Sequence, residues 1–289
     1  MGLKPRTFEY HAPTTLDEAV ALLAEHGDSA KVLAGGQSLV PMMSLRLADF
    51  AHLVDLNTVA GLDAIGGSNG HVRIGALVRQ SAAEHDTVVA TDAPLVAAAL
   101  PHIGHFQIRN RGTVGGSIAH ADPASELPAV AVALDATVEA FGPSGSREIA
   151  ATDFFESTWQ TTLGEHEILT AVRFPVWDGA SGFAVEEVAR RHGDFAICGA
   201  VCGVTLEGDT ISRAAIGLIG VGSTPVRATA AEQALVAAGA RADLSAIGRE
   251  AAATLEPSDD IHASGAYRKQ VAAVVVRRAL ARAIEEARS

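Results

Sequence analysis

Cysteine is nearly absent from this chain. Cys198 and Cys202 are the only two among 289 residues, too few for an iron–sulfur cluster or an all-cysteine zinc centre. In a strand they would lie too far apart to pair, so two buried thiols are expected. Positive charge is also short. The 22 Lys and Arg face 34 Asp and Glu, a net charge of −12, which argues against a nucleic-acid partner. Any phosphate bound here must be held by local dipoles against the field of the whole molecule. No apolar run reaches the roughly 18 to 20 residues that cross a bilayer, so no transmembrane segment is expected. The start, Met1 to Arg6, lacks the apolar stretch of a secretion signal, and Arg6 stands where a myristoylation motif needs Ser or Thr. A cytoplasmic location is the expectation.

Several motifs are missing. No G-x-G-x-x-G fingerprint occurs, which removes the doubly wound dinucleotide-binding reading, and no G-x-x-x-x-G-K-[ST] supports nucleotide hydrolysis. A hydrolase would need a G-x-S-x-G elbow, which is absent. His102, His105 and His120 with Asp122 fit no compact ligand set, so no metal is expected. Arg190-Arg191 and Arg277-Arg278 read as solvated faces or subunit contacts.

With 48% hydrophobic and 19% charged residues, the chain is globular and long enough for two domains. Its organising features are two glycine turns, Ala34-Gly35-Gly36-Gln37-Ser38 and Thr113-Val114-Gly115-Gly116-Ser117. Glycine pairs let backbone N–H groups crowd an anion, and Ser or Thr nearby can add a hydrogen bond. Brought together, two such loops can hold both phosphates of a dinucleotide.

In order, the pattern predicts a short strand at Phe8 to Pro13. A helix from Leu16 to His26 follows, boxed by Thr15 and Glu18 and stopped at Gly27. Lys31 to Ala34 reads as a strand feeding the first glycine turn, with Ser38 capping a helix to Leu47. His52 to Leu56 is a strand. Leu62 to Ile65 and Val72 to Ala76 form a hairpin whose loop contains Gly66-Gly67. Ser81 to Leu100 is helical, broken at Pro94. Ala129 to Phe141 and Glu167 to Phe174 read as strands. Beyond Gly182 come three strands (Phe183 to Ala189, Ala196 to Leu206, Ile211 to Val221). Helices follow at Ala230 to Ala238, Leu244 to Leu255 and Ala266 to Ala287. The change of texture places a boundary near residue 177.

The stretches Ala-Gly-Gly-Gln-Ser-Leu-Val-Pro-Met-Met at 34–43 and Ile-Arg-Asn-Arg-Gly-Thr-Val-Gly-Gly-Ser at 108–117 resemble the two FAD signatures of the molybdenum hydroxylase flavoproteins. These are the medium subunits of carbon monoxide dehydrogenase, xanthine dehydrogenase and related heterocycle hydroxylases. The resemblance continues at Glu167 to Pro175, at Gly193-Asp194-Phe195-Ala196, and from Tyr267-Arg268 to Leu280, so it spans nearly the whole chain.

It implies an α+β fold, with an FAD-binding domain of the vanillyl-alcohol-oxidase (PCMH) type at 1–177 in lobes of about 1–56 and 57–177. A smaller domain of antiparallel sheet and helices fills 178–289. It assigns Lys31, Val32, Leu33, Ala34, Gly35, Gly36, Gln37, Ser38, Thr113, Gly115, Gly116 and Ser117 to the grip on the FAD pyrophosphate. Ile103 joins the cofactor-binding set. Asp122 and Glu126 fall on the ribose and adenine side, Leu169 in an apolar adenine wall, and Phe195 where some relatives place a tyrosine on the isoalloxazine ring. Gln37 and Ser117 stand where relatives often carry His and Asn, and both can still hydrogen-bond.

The implied function is an electron-transfer subunit carrying noncovalent FAD. It would work with a large molybdopterin subunit and a small subunit bearing two [2Fe–2S] clusters, as a dimer of heterotrimers, and deliver electrons to a small-molecule acceptor. No catalytic side chain is expected, because the flavin does the chemistry. A self-contained FAD oxidoreductase and a non-catalytic flavin-binding protein are the alternatives.

Overall fold

The computed structural model describes residues 4–289, so Met1 to Leu3 of the leader reading lie outside it. The chain opens with β1 (Glu9–His11), α1 (Leu16–His26), β2 (Ala30–Leu33), α2 (Leu39–Ser44) and β3 (His52–Asp55). Strand β3 lies between β1 and β2 and runs parallel to both. Thr15 Oγ1 accepts from the Glu18 N–H, but Glu18 reaches back to the Thr14 N–H at 2.7 Å, one residue earlier than a standard capping box. Ala19, Val20 and Leu23 of α1 are buried in the core of this lobe. Helix α2 stops at Ser44, short of Leu47, and the Ser38 side chain makes no capping bond.

The second lobe contains β4 (Ile65–Ser68), β5 (His71–Gly75), α3 (Gln80–Glu84), α4 (Thr87–Asp92), α5 (Pro94–Ala99), α6 (Phe106–Arg109), α7 (Val114–His120) and α8 (Glu126–Ala133). It continues with β6 (Thr137–Gly142), β7 (Gly145–Ala150), β8 (Phe155–Ser157), β9 (Gln160–Thr161) and β10 (Ile168–Pro175). Its main sheet is antiparallel in the order β4-β5-β10-β6-β7, with β8 and β9 a separate hairpin.

Three local expectations are corrected here. Gly66 and Gly67 lie inside β4, and the turn falls on Asn69-Gly70 (φ 51° and 75°), the pair that a tight hairpin turn favours. The helical stretch before Leu100 breaks at Asp86 as well as at Pro94, because the Asp86 carboxylate caps α4 through the N–H groups of Val88 and Val89. Ala129 to Ala133 belong to helix α8, and the strand begins only at Thr137. Every residue of α8 is buried, so it shows no polar face and no helical period to read.

The last third forms an antiparallel sheet, β11 (Ala180–Val188), β12 (Cys198–Glu207), β13 (Thr210–Ile219) and β14 (Val226–Arg227). Helices α9 (Thr229–Ala238), α10 (Leu244–Ala253) and α11 (Gly265–Ala287) follow. Cys198 and Cys202 are free and buried in β12, and burial pushes the Cys198 thiol up to about 12, so neither is a ready nucleophile. Residues of α9, α10 and α11 share one core with this sheet. Val185, Val201, Ala215 and Ile219 join α5 and α8 in another, which ties the last third to the second lobe. No helix among the described residues is long and apolar enough to cross a membrane.

Arg268 locks the start of α11. One guanidinium nitrogen donates to the carbonyls of Ile197 and Gly220, the latter at 3.0 Å, and the other meets Asp260 at 2.5 Å. Arg268→Met leaves those buried carbonyls unpaired and should destabilise the protein by about 3 kcal/mol in urea unfolding. A change under about 0.5 kcal/mol would show that the helix start is held by packing alone.

Candidate functional site

A cavity of about 960 Å³ is walled by the ends of β2 and α7, by the β8–β9 hairpin and by Gly193 to Phe195 of the last third. Both glycine turns line it. The first rests on the segment entering the second, and Gly115 of the second rests on the end of β5; neither position has room for a Cβ. A Cβ on Gly35 would lie 2.4 Å from the Arg111 carbonyl and 2.8 Å from Gly112 Cα, and one on Gly115 would lie 2.5 Å from Ala76 Cα. An ion- and amide-based bolt reinforces the contact. Arg79 donates to the Arg111 carbonyl at 2.6 Å and to Asn57 Oδ1 at 2.5 Å, and Asn57 Nδ2 donates to the Ala34 carbonyl at 2.9 Å.

The two turns do different work. In the second, Val114 N–H donates to Val78, Gly115 N–H to Ala76 and Gly116 N–H to the Thr113 hydroxyl, at 3.0 Å each. Ser117 N–H returns to Thr113. From Val114 to Ser117 that turn therefore has no backbone donor to spare, and its glycines serve close packing. In the first, the N–H groups of Gly35, Gly36, Gln37 and Ser38 have no acceptor among the described residues. The Gln37 amide folds back onto the Gly35 carbonyl at 3.0 Å. Four N–H groups in a row at the foot of α2, on residues that line the cavity, are thus available to an anion.

Charge agrees with this division. Among the described lining residues Lys31 is the one Lys or Arg, against six acids. Its ammonium lies 5.8 Å from the Phe50 ring centre. Arg109 of the second signature is already bound to Glu84, at 2.7 and 3.1 Å, and to the carbonyls of Ile103 and Gly104.

Of the residues assigned from the sequence, Lys31, Val32, Ala34, Gly35, Gly36, Gln37, Ser38, Ile103, Thr113, Gly115, Gly116, Ser117, Glu126, Leu169 and Phe195 line the cavity. Leu33 and Asp122 are not among its lining residues. Asp122 stands behind the wall, where it accepts from the Ala124 N–H at 2.9 Å and from Trp159 Nε1 at 3.2 Å. Phe195 is 61% exposed, a flat ring offered to the opening. The histidines considered for a metal are scattered. His102 pairs with Glu187 at 3.2 Å, His105 faces His192, and His120 stacks on Trp159.

Sequence reasoning missed Arg79, Asn57, Gln80 and Trp159. Gln80 lines the cavity with its amide oxygen buried and unpartnered, and Trp159 carries φ 61° at the tip of the β8–β9 hairpin. Trp159 is one of two tryptophans in the chain, the one compositional signal available. Nothing in the linear sequence marks the other three.

Two family models match. One, the FAD binding domain in molybdopterin dehydrogenase, covers residues 6–177, and the other, the CO dehydrogenase flavoprotein C-terminal domain, covers 183–283. The chain is 41% identical to the 6-hydroxypseudooxynicotine dehydrogenase complex subunit alpha of Paenarthrobacter nicotinovorans, over 99% of this chain and 97% of the relative. It is 38% identical to the caffeine dehydrogenase subunit beta of Pseudomonas sp. (strain CBB1), over 98% and 97%. Among solved structures it resembles carbon monoxide dehydrogenase from Hydrogenophaga pseudoflava lacking the Mo-pyranopterin moiety. The TM-score is 0.95 and the identity 39%, covering 98% of this chain and 99% of that one.

Glu126 lines the cavity at 4% exposure, and burial, with Glu187 adding, raises its carboxyl to about 8. In the unfolded chain this carboxyl ionises near its ordinary value of 4.5. Between those values the folded state holds the proton that the unfolded state has lost, so stability falls as pH rises. Glu126→Gln should remove a slope of up to about 1.4 kcal/mol per pH unit and be the more stable form at pH 8.5. Urea unfolding of both proteins at pH 6 and 8.5 checks this, and parallel pH profiles would refute it.

Proposed function

The chain belongs to the FAD-binding medium-subunit family of the molybdenum hydroxylases, and from that premise we propose how it works as the electron-transfer subunit of a molybdenum-dependent dehydrogenase. The carrying observation is the first glycine turn, with four unspent N–H groups beside Lys31 in a cavity at the upper end of the usual ligand-site range of about 300–1,000 Å³.

FAD bound here would supply the redox chemistry of a relay between the iron–sulfur subunit and an external acceptor such as NAD⁺, a quinone or oxygen. The chain's residues bind and orient it. Gly35 to Ser38 hold the pyrophosphate by backbone donors, with Lys31 supplying the positive charge that the acidic molecule otherwise lacks. Thr113, Gly115, Gly116 and Ser117 shape the facing wall, and the Ser117 hydroxyl adds a polar contact. Glu126, neutral at pH 7, offers a hydrogen bond without opposing the phosphates. Val32, Ala34, Ile103 and Leu169 give apolar surface, and Phe195 a platform for an aromatic ring. Leu33 and Asp122 support the wall from behind. Both thiols are sealed in β12, which favours noncovalent attachment.

The partners in this reading are a large molybdopterin subunit, where substrate recognition resides, and a small [2Fe–2S] subunit, assembled as a dimer of heterotrimers in the cytoplasm. The chain divides at residue 177. Lobes 1–56 and 57–177 carry the cofactor and 178–289 packs beside them, a division supported by the change to one antiparallel sheet backed by three helices.

Purified chain should show flavin absorbance or take up one equivalent of FAD, and should copurify with the two partners when the three are expressed together. Gly35→Ala should weaken FAD binding at least about tenfold, equivalent to about 1.4 kcal/mol, and lower the stability of the flavin-free chain as well, because its Cβ drives the first turn off the Arg111 carbonyl. A wild-type chain that binds no FAD sinks the reading. One that turns substrate over alone would replace the relay with a self-contained oxidoreductase.

A further inference from the structure

Beside the cavity, whose wall includes Gly27, Asp28 and Ala30 but no side chain of the cluster, three histidines converge from three separate elements. His11 ends β1, His26 ends α1, and His52 begins β3. Each offers a ring nitrogen, and the three ligand atoms lie within 4.8 Å of one another. His11 Nε2 and His52 Nδ1 are 3.1 Å apart, while the rings of His26 and His52 lie face to face at 3.7 Å and 4°. Glu9 Oε2 lies 3.6 Å from His52 Nδ1. All three histidines are half-buried.

We propose that His11, His26 and His52 form a binding site for a divalent transition-metal ion of the zinc class. Imidazole is the nitrogen ligand such ions favour, and three of them leave a fourth position for water or for the Glu9 carboxylate. Two ligands at about 2.0–2.1 Å in a tetrahedron are separated by about 3.3 Å, close to the present spacing of His11 and His52. The backbone beneath them is fixed by the parallel ladder, in which Glu9 pairs with His52 and His11 with Val54. His26 must swing its ring out of the stack, which side-chain rotation at the end of α1 permits. Without a metal, the 3.1 Å His11–His52 contact is a single N–H···N hydrogen bond, which a bound ion would replace with two nitrogen–metal bonds. One dication can accept a lone pair from each of the three rings at once. A net charge of −12 also favours cation capture.

The site braces the far end of the strands that carry the first glycine turn. His52 pairs with Ala30 at the start of β2, and Leu33 pairs with Asp55 at its end, three residues or about 10 Å away. A metal there ties β1, α1 and β3 together without entering the cavity.

Isothermal titration of the full FAD-loaded chain with ZnCl₂, after chelator treatment, tests the proposal. One equivalent should bind, and His26→Ala and His52→Ala should each weaken it at least about tenfold. His71→Ala, at an exposed histidine outside the cluster, should bind as wild type does. His26→Gln guards against a folding defect, since it keeps the residue's size and should lose the metal with unchanged circular dichroism. Cobalt should give the visible absorption of a tetrahedral centre in the wild type and not in His26→Gln. No stoichiometric zinc on the wild-type chain, or variants that bind as tightly as it does, would overturn the site.

Discussion

The structure depends on one close approach, where the first glycine turn rests directly on the backbone of Arg111 and Gly112. At 2.4 Å a Cβ on Gly35 would collide with the Arg111 carbonyl, and a carbonyl cannot move aside as a flexible side chain can. Two turns separated by nearly eighty residues thereby become adjacent walls of one cavity. Arg79 and Asn57 fasten the contact: Arg79 donates to the Arg111 carbonyl and to the Asn57 side-chain oxygen, and Asn57 in turn donates to the Ala34 carbonyl. The arrangement converts a sequence coincidence, two diglycines, into two walls of one cavity.

That contact also divides the labour. The second turn uses its amides to hold α7 against β5 and its flanks, so it contributes shape. The first keeps its amides free, so it contributes field. An acidic molecule that binds a pyrophosphate needs such a division, because its six acidic wall residues would otherwise repel the ligand. Neutralising one of them by burial, as at Glu126, lowers the repulsion further. The relatives that this family comprises are redox subunits, and a chain whose wall supplies binding and orientation suits a role in which the cofactor reacts.

Helix α8 sets how the last third sits. Its apolar residues pack against α5 on one side and against strands of the final sheet on the other. The helix is thus the joint through which the second lobe carries Phe195 and its loop to the cavity.

Much was legible in the sequence because its cause is local. The capped helix at Leu16 to His26, the strands from Phe183 to Val221 and the final amphipathic helix follow from periodicity and stop residues. The glycine turns announced themselves by motif, and the order of the motifs identified the family. What failed to read were features whose cause lies elsewhere in the chain. Helix α8 has no polar face because distant strands cover it. Gly66 and Gly67 sit in a strand because Asn69-Gly70 makes the tighter turn. Asn57, Arg79 and Gln80 look like ordinary surface residues until the lobes close on them. The sequence by itself determined that this chain makes glycine turns, which elements flank them and which family they belong to. Only the tertiary structure decided which turn keeps its amides free and that three histidines meet, because hydrogen-bond partners and metal-ligand distances are set by what the fold brings opposite, not by neighbours in the chain.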